Sequence, residues 1–253
     1  MHNLKTCLRC GRCVQVCPLC AITMMPEGPT INRDQCDLCG ACAGVCPSHA
    51  MRISARQMRV DEVMDVVEAD RPFYRRTGGG MTLSGGEPLL QPEFAVALLR
   101  ASRQAMIGTA LETAGFVPWA SLEAALPWVD HLLYDLKHLD PEVHRTHTGV
   151  PNDIILENLR KAAPLARHLV LRVPVVPGFN ATNEAIQAIA RLALELDGAK
   201  EMHLLPYHRH GKAKYAQLGR TYEFDDAAPL SKEREDELVS LIRGMGIDCR
   251  LRG

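Results

Sequence analysis

Short apolar runs alternate with helical patterns along most of the chain. Strands are predicted at 81–84, 109–113, 131–136, 168–176, 201–205 and 248–251. Helices are predicted at 91–104, 118–126, 152–163, 182–196 and 231–244, where apolar residues recur at helical spacing. A partial apolar stripe predicts a helical connector at 54–76. This alternation predicts an α/β fold whose parallel sheet is closed or partly closed, with helices outside it.

Five of the predicted strands end in polar or conformationally unusual residues. These ends are Ser84-Gly85-Gly86-Glu87, Glu112-Thr113-Ala114-Gly115, Asp135-Leu136-Lys137, Arg172-Val173-Pro174 and Pro206-Tyr207-His208. In parallel barrels the carboxyl ends of the strands form the active-site face, so we expect a ligand site there. The position of His208 favours a functional role. His144 and His147 are predicted to lie in a polar loop, where they serve either the loop itself or contact with a partner.

Charged residues occur within or beside two apolar strands. Asp135 and Lys137 flank Leu136, so strand alternation directs both charges to one side and Leu136 to the other. The two charges either form a structural ion pair or bind a ligand. Arg172 lies inside the apolar run 169–176, where an unpaired charge is costly. Either a ligand carboxylate or an internal salt bridge would satisfy it.

Nine of the ten cysteines lie between residues 7 and 46, in two runs of spacing CxxCxxCxxxCP. In bacterial ferredoxins three close thiolates hold one [4Fe–4S] cluster, and the fourth, before proline, binds the other cluster. The spacing predicts one cluster on Cys7, Cys10, Cys13 and Cys46, and a second on Cys36, Cys39, Cys42 and Cys17. The alternative is a pair of zinc sites, but zinc needs only four ligands and has no use for this run. Short strands are predicted after the runs, at 21–24 and 50–53.

Composition and charge narrow the functional classes. The chain has 253 residues and a formal net charge of -1, so no strong global field favours nucleic acid. No apolar run approaches 18 residues, and the first residues lack the apolar core of a secretory signal. We therefore expect a cytoplasmic monomer that binds neither nucleic acid nor membrane. In a reducing cytosol clustered cysteines indicate metal ligands rather than disulfides.

Five segments, in their order along the chain, resemble the radical S-adenosylmethionine (SAM) enzymes that activate glycyl radical enzymes. They are GGGMTLSGGEPLLQPEF at 78–94, LETAGFVPW at 111–119, YDLKHLDPEVHRTHTGVPNDIILENL at 134–159, RVPVVPGFN at 172–180 and LLPYHRHGKAKY at 204–215. The resemblance is closest to the subgroup that carries a two-cluster ferredoxin insert and activates pyruvate formate-lyase-like enzymes. It implies reductive cleavage of SAM to a 5′-deoxyadenosyl radical, which abstracts hydrogen from a glycine of a partner enzyme. It also implies a flavodoxin or ferredoxin-type electron donor.

The resemblance implies roles for individual residues beside SAM. Gly86 would contact the SAM amino group through its backbone, and Lys137 would hold the SAM carboxylate. Glu112, with Asp135 and main-chain oxygens, would help to hold a monovalent cation. The whole implied set is Gly85, Gly86, Glu87, Glu112, Asp135, Leu136, Lys137, Arg172 and His208.

The family's catalytic [4Fe–4S] cluster is held by a CxxxCxxC loop after the first barrel strand. Cys13, Cys17 and Cys20 have this spacing, but the first two already belong to the ferredoxin pattern, so we interpret the match as accidental. We therefore expect a ferredoxin-like domain at 1–55 and, at 56–253, a partial (βα)6 radical SAM barrel without its first strand or third cluster.

The chain as written is not expected to cleave SAM. One explanation is that it begins inside a longer protein that supplies the third cluster. Another is that it is a non-catalytic remnant that only transfers electrons or binds a partner. In a further alternative, Cys13, Cys17 and Cys20 serve the catalytic cluster at the expense of the ferredoxin pattern.

Overall fold

The chain folds into two compact units, which are described separately. The structure is a computed structural model that describes residues 2–218, 222 and 228–251. The first unit comprises Met1–Gln57 and His208–Asp226, and the second comprises Met58–Tyr207 and Ala227–Gly253. In the described ranges no helix is both long and apolar enough to cross a membrane.

An antiparallel hairpin and several short helices form the cysteine-rich first unit. Strands β1 (Ile22–Met25) and β2 (Gly28–Ile31) pair with each other. The helices are Leu4–Thr6, Arg12–Val16, Ala41–Gly44, Arg209–Gly211 and Lys212–Gln217, of which Leu4–Thr6 and Arg209–Gly211 are 3₁₀ turns. The strand predicted at 50–53 is wrong, because only Met51 forms a β-bridge, an isolated one to His2. A single bridge leaves the rest of that segment without a ladder of backbone hydrogen bonds.

The backbone of this unit repeats at an offset of 29 residues, the same offset that separates the two cysteine runs. Left-handed residues, with φ between 49° and 79°, occur in pairs at this offset: Arg9 and Leu38, Gly11 and Gly40, and Cys20 and His49. Gly11 and Gly40 each precede a short helix. A left-handed backbone favours glycine, which explains the residue type at Gly11 and Gly40. Because the left-handed positions recur at the same offset, both runs have the same local structure. The buried side chains of Cys13, Ile22 and Met51 pack together between them.

Among the residues that the structure describes, the sheet of the second unit has six parallel strands, and their order along the chain is also their order in the sheet. They are β3 (Gly80–Leu83), β4 (Gly108–Thr113), β5 (His131–Asp135), β6 (Leu169–Val175), β7 (Glu201–Pro206) and β8 (Asp248–Leu251). Strands β3 and β8 are the edges. The predicted parallel α/β fold is therefore confirmed.

Helices connect these strands. The α-helices are Val60–Ala69, Arg71–Thr77, Pro92–Gln104, Trp119–Ala125, Pro141–Thr148, Asp153–Ala162, Asn183–Glu195 and Lys232–Gly244, and short 3₁₀ turns lie at Pro88–Leu90 and Leu126–Trp128. The predicted polar loop around His144 and His147 is wrong, since both residues lie in the helix Pro141–Thr148. The side chain of Asp140 caps this helix by accepting hydrogen bonds from the backbone of Glu142 and Val143, both at 2.9 Å. Pro141 at the first helical position also favours a helix start.

Burial alternates along the central strands. In β6 the buried Leu171, Val173 and Val175 alternate with the partly exposed Arg172 and Pro174. The buried side chains join the core formed by helix residues such as Leu99 and Ile186. One face of the sheet is thus packed, while the other carries polar side chains near the carboxyl ends of the strands.

Candidate functional site

The turn after β3 presents an open stretch of backbone. Gly85 and Gly86 have φ values of 87° and 65°, a left-handed conformation that L side chains rarely adopt. Both residues are exposed, and no described residue other than the immediate chain neighbours lies within 4 Å of the position that a Cβ would occupy at either one. The turn can therefore bring main-chain groups close to a ligand.

Glu87 ties this turn to the end of β4. Its carboxylate accepts hydrogen bonds from the Thr113 hydroxyl at 2.9 Å and from the Ala114 backbone N–H at 3.0 Å. It also caps the following 3₁₀ turn by accepting from the backbone N–H of Leu89. These bonds hold the turn in position, and contact between Glu87 and the cofactor stays a prediction.

Four charged side chains lie together at the ends of three adjacent strands. Arg172 contacts Glu112 through Nη1 and Oε1 at 2.6 Å, and its Nε lies 4.0 Å from Asp135 Oδ1. Lys137 Nζ lies 4.0 Å from Asp135 Oδ2. The Ser84 hydroxyl donates to Glu112 Oε2 at 2.8 Å, which joins the glycine turn to this group. We call Glu112, Asp135, Lys137 and Arg172 the charged row.

Asp135 is the least satisfied member of the charged row. Its Oδ1 atom is buried and has no hydrogen-bond partner among the described residues. Burial raises the pKa of this carboxyl above its ordinary value, and Lys137 and Arg172 only partly offset that effect. A polar atom in this state is a candidate for contact with a bound ligand.

The alternation predicted at the end of β5 is observed. Leu136 is fully buried in the core, while Asp135 and Lys137 share the opposite, partly exposed side. His208 lies two residues beyond the end of β7 and is exposed. It belongs to the first compact unit, whereas the charged row belongs to the second.

Three buried asparagines hold the loops around the charged row, and sequence reasoning missed all of them. Asn180 donates to the carbonyl oxygens of Lys137 at 2.6 Å and Pro174 at 2.7 Å. Asn158 and Asn152 likewise each donate to two loop carbonyls, at 2.8–2.9 Å. All three are nearly inaccessible to solvent. Asparagines beside apolar strand or helix patterns are a signal that could have identified them, because buried amides need partners.

The eight ferredoxin-type cysteines line two cavities. One is lined by Cys7, Cys10, Cys13 and Cys46, together with Met24, Pro29 and Met51. The other, of about 380 Å³, is lined by Cys17, Cys36, Cys39 and Cys42, together with apolar residues such as Ile22 and Ile31. Each run therefore contributes three cysteines to one cavity and its fourth cysteine to the other. This is the crossed grouping predicted from the spacing.

Backbone amides are directed at the thiols of Cys17 and Cys46, the fourth cysteine of each run. The N–H of Ala21 lies 3.3 Å from Cys17 Sγ, and the N–H of Met51 lies 3.3 Å from Cys46 Sγ. Burial alone would raise the pKa of Cys46, but hydrogen bonds, chiefly from Met51, lower it below its ordinary value. Burial raises the pKa of Cys13 and Cys42, which are equivalent positions of the two runs. Metal binding would have to displace those protons, since thiolates are the ligands.

The second unit is a parallel α/β sheet with the charged row near the carboxyl ends of its strands, and the first unit is rich in cysteine. Residues 9–193 match the Radical SAM superfamily. The isethionate sulfite-lyase activating enzyme of Oleidesulfovibrio alaskensis is 48% identical over 94% of this chain and 77% of its own length. The (2S)-3-sulfopropanediol dehydratase activating enzyme of Klebsiella oxytoca is 40% identical over 85% of this chain and 69% of its own.

Solved structures agree with these relatives. A crystal structure of a domain of pyruvate-formate lyase-activating enzyme from Bacteroides vulgatus superposes with a TM-score of 0.59 at 30% identity. It covers 69% of this chain and 99% of that domain. The chain therefore belongs to the radical SAM superfamily, among the enzymes that activate glycyl radical enzymes. The family resemblance predicted from the five motifs is confirmed.

Proposed function

We propose that this chain binds SAM at the charged row and supports its reductive cleavage for radical formation on a glycyl radical enzyme. We further propose that the partner is similar to isethionate sulfite-lyase, because three relatives at 44–48% identity activate that enzyme. The observation that carries the SAM site is the charged row beside the open glycine turn, at the carboxyl edge of the sheet.

The residues of this site suit the two ends of a SAM methionyl group. Lys137 is a cation for the carboxylate, and it is partly exposed beside Asp135. Asp135 offers a buried oxygen that has no hydrogen-bond partner among the residues described. The open turn at Gly85 and Gly86 would offer main-chain acceptors for the amino group. Arg172 would contribute to SAM binding indirectly, because it holds the carboxylates of Glu112 and Asp135 in position. Contact of SAM with His208 and with Leu136 stays a prediction. The monovalent cation also stays a prediction, and both carboxylate oxygens of Glu112 already have partners in Arg172 and Ser84.

We propose that the first unit, with a domain boundary near residue 55, holds two [4Fe–4S] clusters. When bound, such clusters accept and pass on single electrons. The crossed grouping of the eight cysteines in two cavities supports this assignment. The CxxCxxCxxxCP spacing favours such clusters over zinc, which needs only four ligands. An external flavodoxin or ferredoxin-type protein would supply the electrons.

SAM binding tests the proposed site. Anaerobically reconstituted protein is dialysed to equilibrium against radiolabelled SAM, and Lys137→Ala is compared with the unchanged chain. We expect at least about tenfold weaker binding, since roughly 1.4 kcal/mol separates tenfold affinities. The control is Lys161→Ala, an exposed lysine that pairs with Glu157 at the surface. Equal affinity for Lys137→Ala and the unchanged chain would contradict the proposed site.

Two further measurements test the clusters and the activity. Iron analysis should give about eight irons per chain at four per cubane. Cys46→Ser should lower that number, whereas Cys20→Ser should leave it unchanged. A glycyl radical signal on an isethionate sulfite-lyase, detected by electron paramagnetic resonance after dithionite reduction, would establish activity for the chain as written. Retained SAM binding without that signal would instead support the non-catalytic alternative.

A further inference from the structure

His2 occupies a position of the cysteine-rich unit whose counterpart in the repeat is apolar. The offset of 29 residues that relates the two cysteine runs also relates His2 to Ile31 and Ile22 to Met51. The antiparallel bridge between His2 and Met51 is therefore the counterpart of the antiparallel pairing between Ile31 and Ile22. An imidazole thus stands in one half of the repeat where the other half has an aliphatic side chain.

The hydrogen bonds of the next residue in each half support this equivalence. The N–H of Asn3 donates to the carbonyl of Ala50 at 2.9 Å, and the N–H of Asn32 donates to the carbonyl of Ala21 at 2.8 Å. The side chain of each asparagine accepts from the backbone N–H two residues further on, at 3.1 Å in both halves. The histidine and the isoleucine therefore differ in chemistry and not in their place in the repeat.

The imidazole of His2 is buried and incompletely satisfied. The residue is only 8% exposed, and its Nε2 atom is buried without a hydrogen-bond partner among the described residues. Burial lowers the pKa of His2, so the neutral ring, with one N–H donor, is the main form at pH 7. Because buried polar atoms normally have partners, this nitrogen is a candidate for contact with a bound group.

The edge of the ring that carries Nε2 lies beside a cysteine of the first cavity. The Cε1 atom of His2 and the Sγ atom of Cys7 lie 3.6 and 4.0 Å from the position that a Cβ of Gly28 would occupy. Met51, the bridge partner of His2, lines the same cavity as Cys7. Ile31 lines the other cavity. One proposed cluster site therefore has a ring nitrogen nearby at this position, and the other has a side chain without a donor.

We propose that His2 donates a hydrogen bond from Nε2 to a sulfur of the cluster beside Cys7, and that this cluster has a higher reduction potential than the one beside Ile31. This inference rests on the proposed presence of two clusters. One-electron reduction makes the cluster sulfurs more negative, so a donor stabilises the reduced form more than the oxidised form. No covalent bond is made or broken at His2, and no proton leaves it.

The test is a redox titration of the anaerobically reconstituted chain with dithionite, followed by electron paramagnetic resonance. The unchanged chain should show two one-electron midpoint potentials. His2→Ile should make reduction of one cluster about tenfold less favourable, which lowers the higher potential by about 59 mV and leaves the lower one in place. His2→Gln retains an N–H donor and should keep most of the difference. Ile31→His should raise the lower potential.

The matched control is His49→Asn, which removes an exposed imidazole three residues beyond Cys46. The backbone of His49 is left-handed, with φ of 52°, a conformation that asparagine tolerates. This control should shift neither potential, and a shift equal to that of His2→Ile would overturn the proposal. Unshifted potentials in both His2→Ile and Ile31→His would also overturn it. If His2→Ile does not bind iron, the direction of the shift in Ile31→His decides, because that variant adds a donor and removes none.

Iron analysis separates this inference from the proposed function. About eight irons per chain, at four per cubane, with potentials that do not respond to His2 or Ile31 would overturn the inference alone. A chain that takes up no iron would overturn the two-cluster assignment and this inference with it.

Discussion

Arg172 Nη1 lies 2.6 Å from Glu112 Oε1, across two strands of the parallel sheet that are not neighbours. Strand β5 runs between them and places Asp135 beside Arg172 in register. One guanidinium thus faces two carboxylates at the mouth of the proposed SAM site. The sequence left open whether a ligand or an internal salt bridge satisfies this arginine, and the structure shows the salt bridge.

Replacing Arg172 by methionine should weaken both folding and SAM binding. The change leaves Glu112 and Asp135 as like charges without their shared cation. We expect the free energy of unfolding to fall by about 1–2 kcal/mol, less than for a fully buried pair, because the two side chains are 20% and 27% exposed. SAM affinity should fall about tenfold or more. Urea unfolding and equilibrium dialysis measure the two effects.

Two comparisons make the Arg172 prediction specific. The surface pair of Arg145 and Glu142 is matched in charge but far more exposed, and Arg145→Met should cost less than about 0.5 kcal/mol. A double-mutant cycle with Glu112→Gln should show coupling to Arg172. Additive effects in that cycle would contradict the arrangement described.

Asp135→Asn should stabilise the fold at neutral pH while it weakens SAM binding. Burial raises the pKa of Asp135 in the folded chain, so its ionised form is less favourable there than in the unfolded chain. The carboxyl therefore contributes stability below its unfolded pKa, and that contribution is lost as pH rises through its folded pKa. Asparagine does not ionise, so the advantage of the variant should be full at high pH and should shrink as pH falls.

Urea unfolding of both proteins between pH 5 and pH 8, in roughly half-unit steps, tests this dependence. A stability difference that grows on acidification would contradict the sign. Asp153→Asn serves as a control, since that aspartate is exposed in the first turn of the helix Asp153–Ala162. It should lack the same pH-dependent gain.

Asn180→Ala should lower stability and SAM affinity together. The amide of Asn180 binds the carbonyls of Lys137 and Pro174, and its oxygen accepts from the N–H of Val176 at 2.7 Å. Alanine leaves those buried groups without partners, at an expected cost of about 2–3 kcal/mol. Asn183→Ala, at an exposed position, should cost less than about 1 kcal/mol. Full SAM affinity in Asn180→Ala would show that this clamp does not position Lys137.

Gly115→Ala and Gly149→Ala should differ strongly in their effect on folding. Both glycines are left-handed, with φ of 70° and 84°. A Cβ at Gly115 would stand 1.7 Å from the Tyr134 hydroxyl, whereas nothing lies within 4 Å at Gly149. We expect about 1 kcal/mol of destabilisation at Gly149 from backbone strain alone, and more than about 3 kcal/mol at Gly115. Thermal unfolding compares them, and equal losses would contradict the close packing against Tyr134.

Hydrophobic periodicity predicted the alternating strands and helices of a parallel sheet, and ligand spacing predicted the crossed grouping of the cysteines. Periodicity and ligand spacing are local properties of the sequence. The side of the strand that Leu136 occupies and the grouping of the eight cysteines could therefore be predicted without knowledge of the fold. The helix of His144 and His147 was missed because its cap at Asp140 lies in a polar stretch whose periodicity is weak.

Which charged side chains contact each other could not be predicted from the sequence. Glu112 and Arg172 are sixty residues apart in sequence, and their contact depends on strand order, register and twist together. The same holds for Glu87, which bonds the end of β4, and for Asn180, which holds the loop of Lys137. These contacts join residues on different strands and loops. The free energy that brings those residues together comes mainly from burying the apolar surface of the sheet beneath its helices.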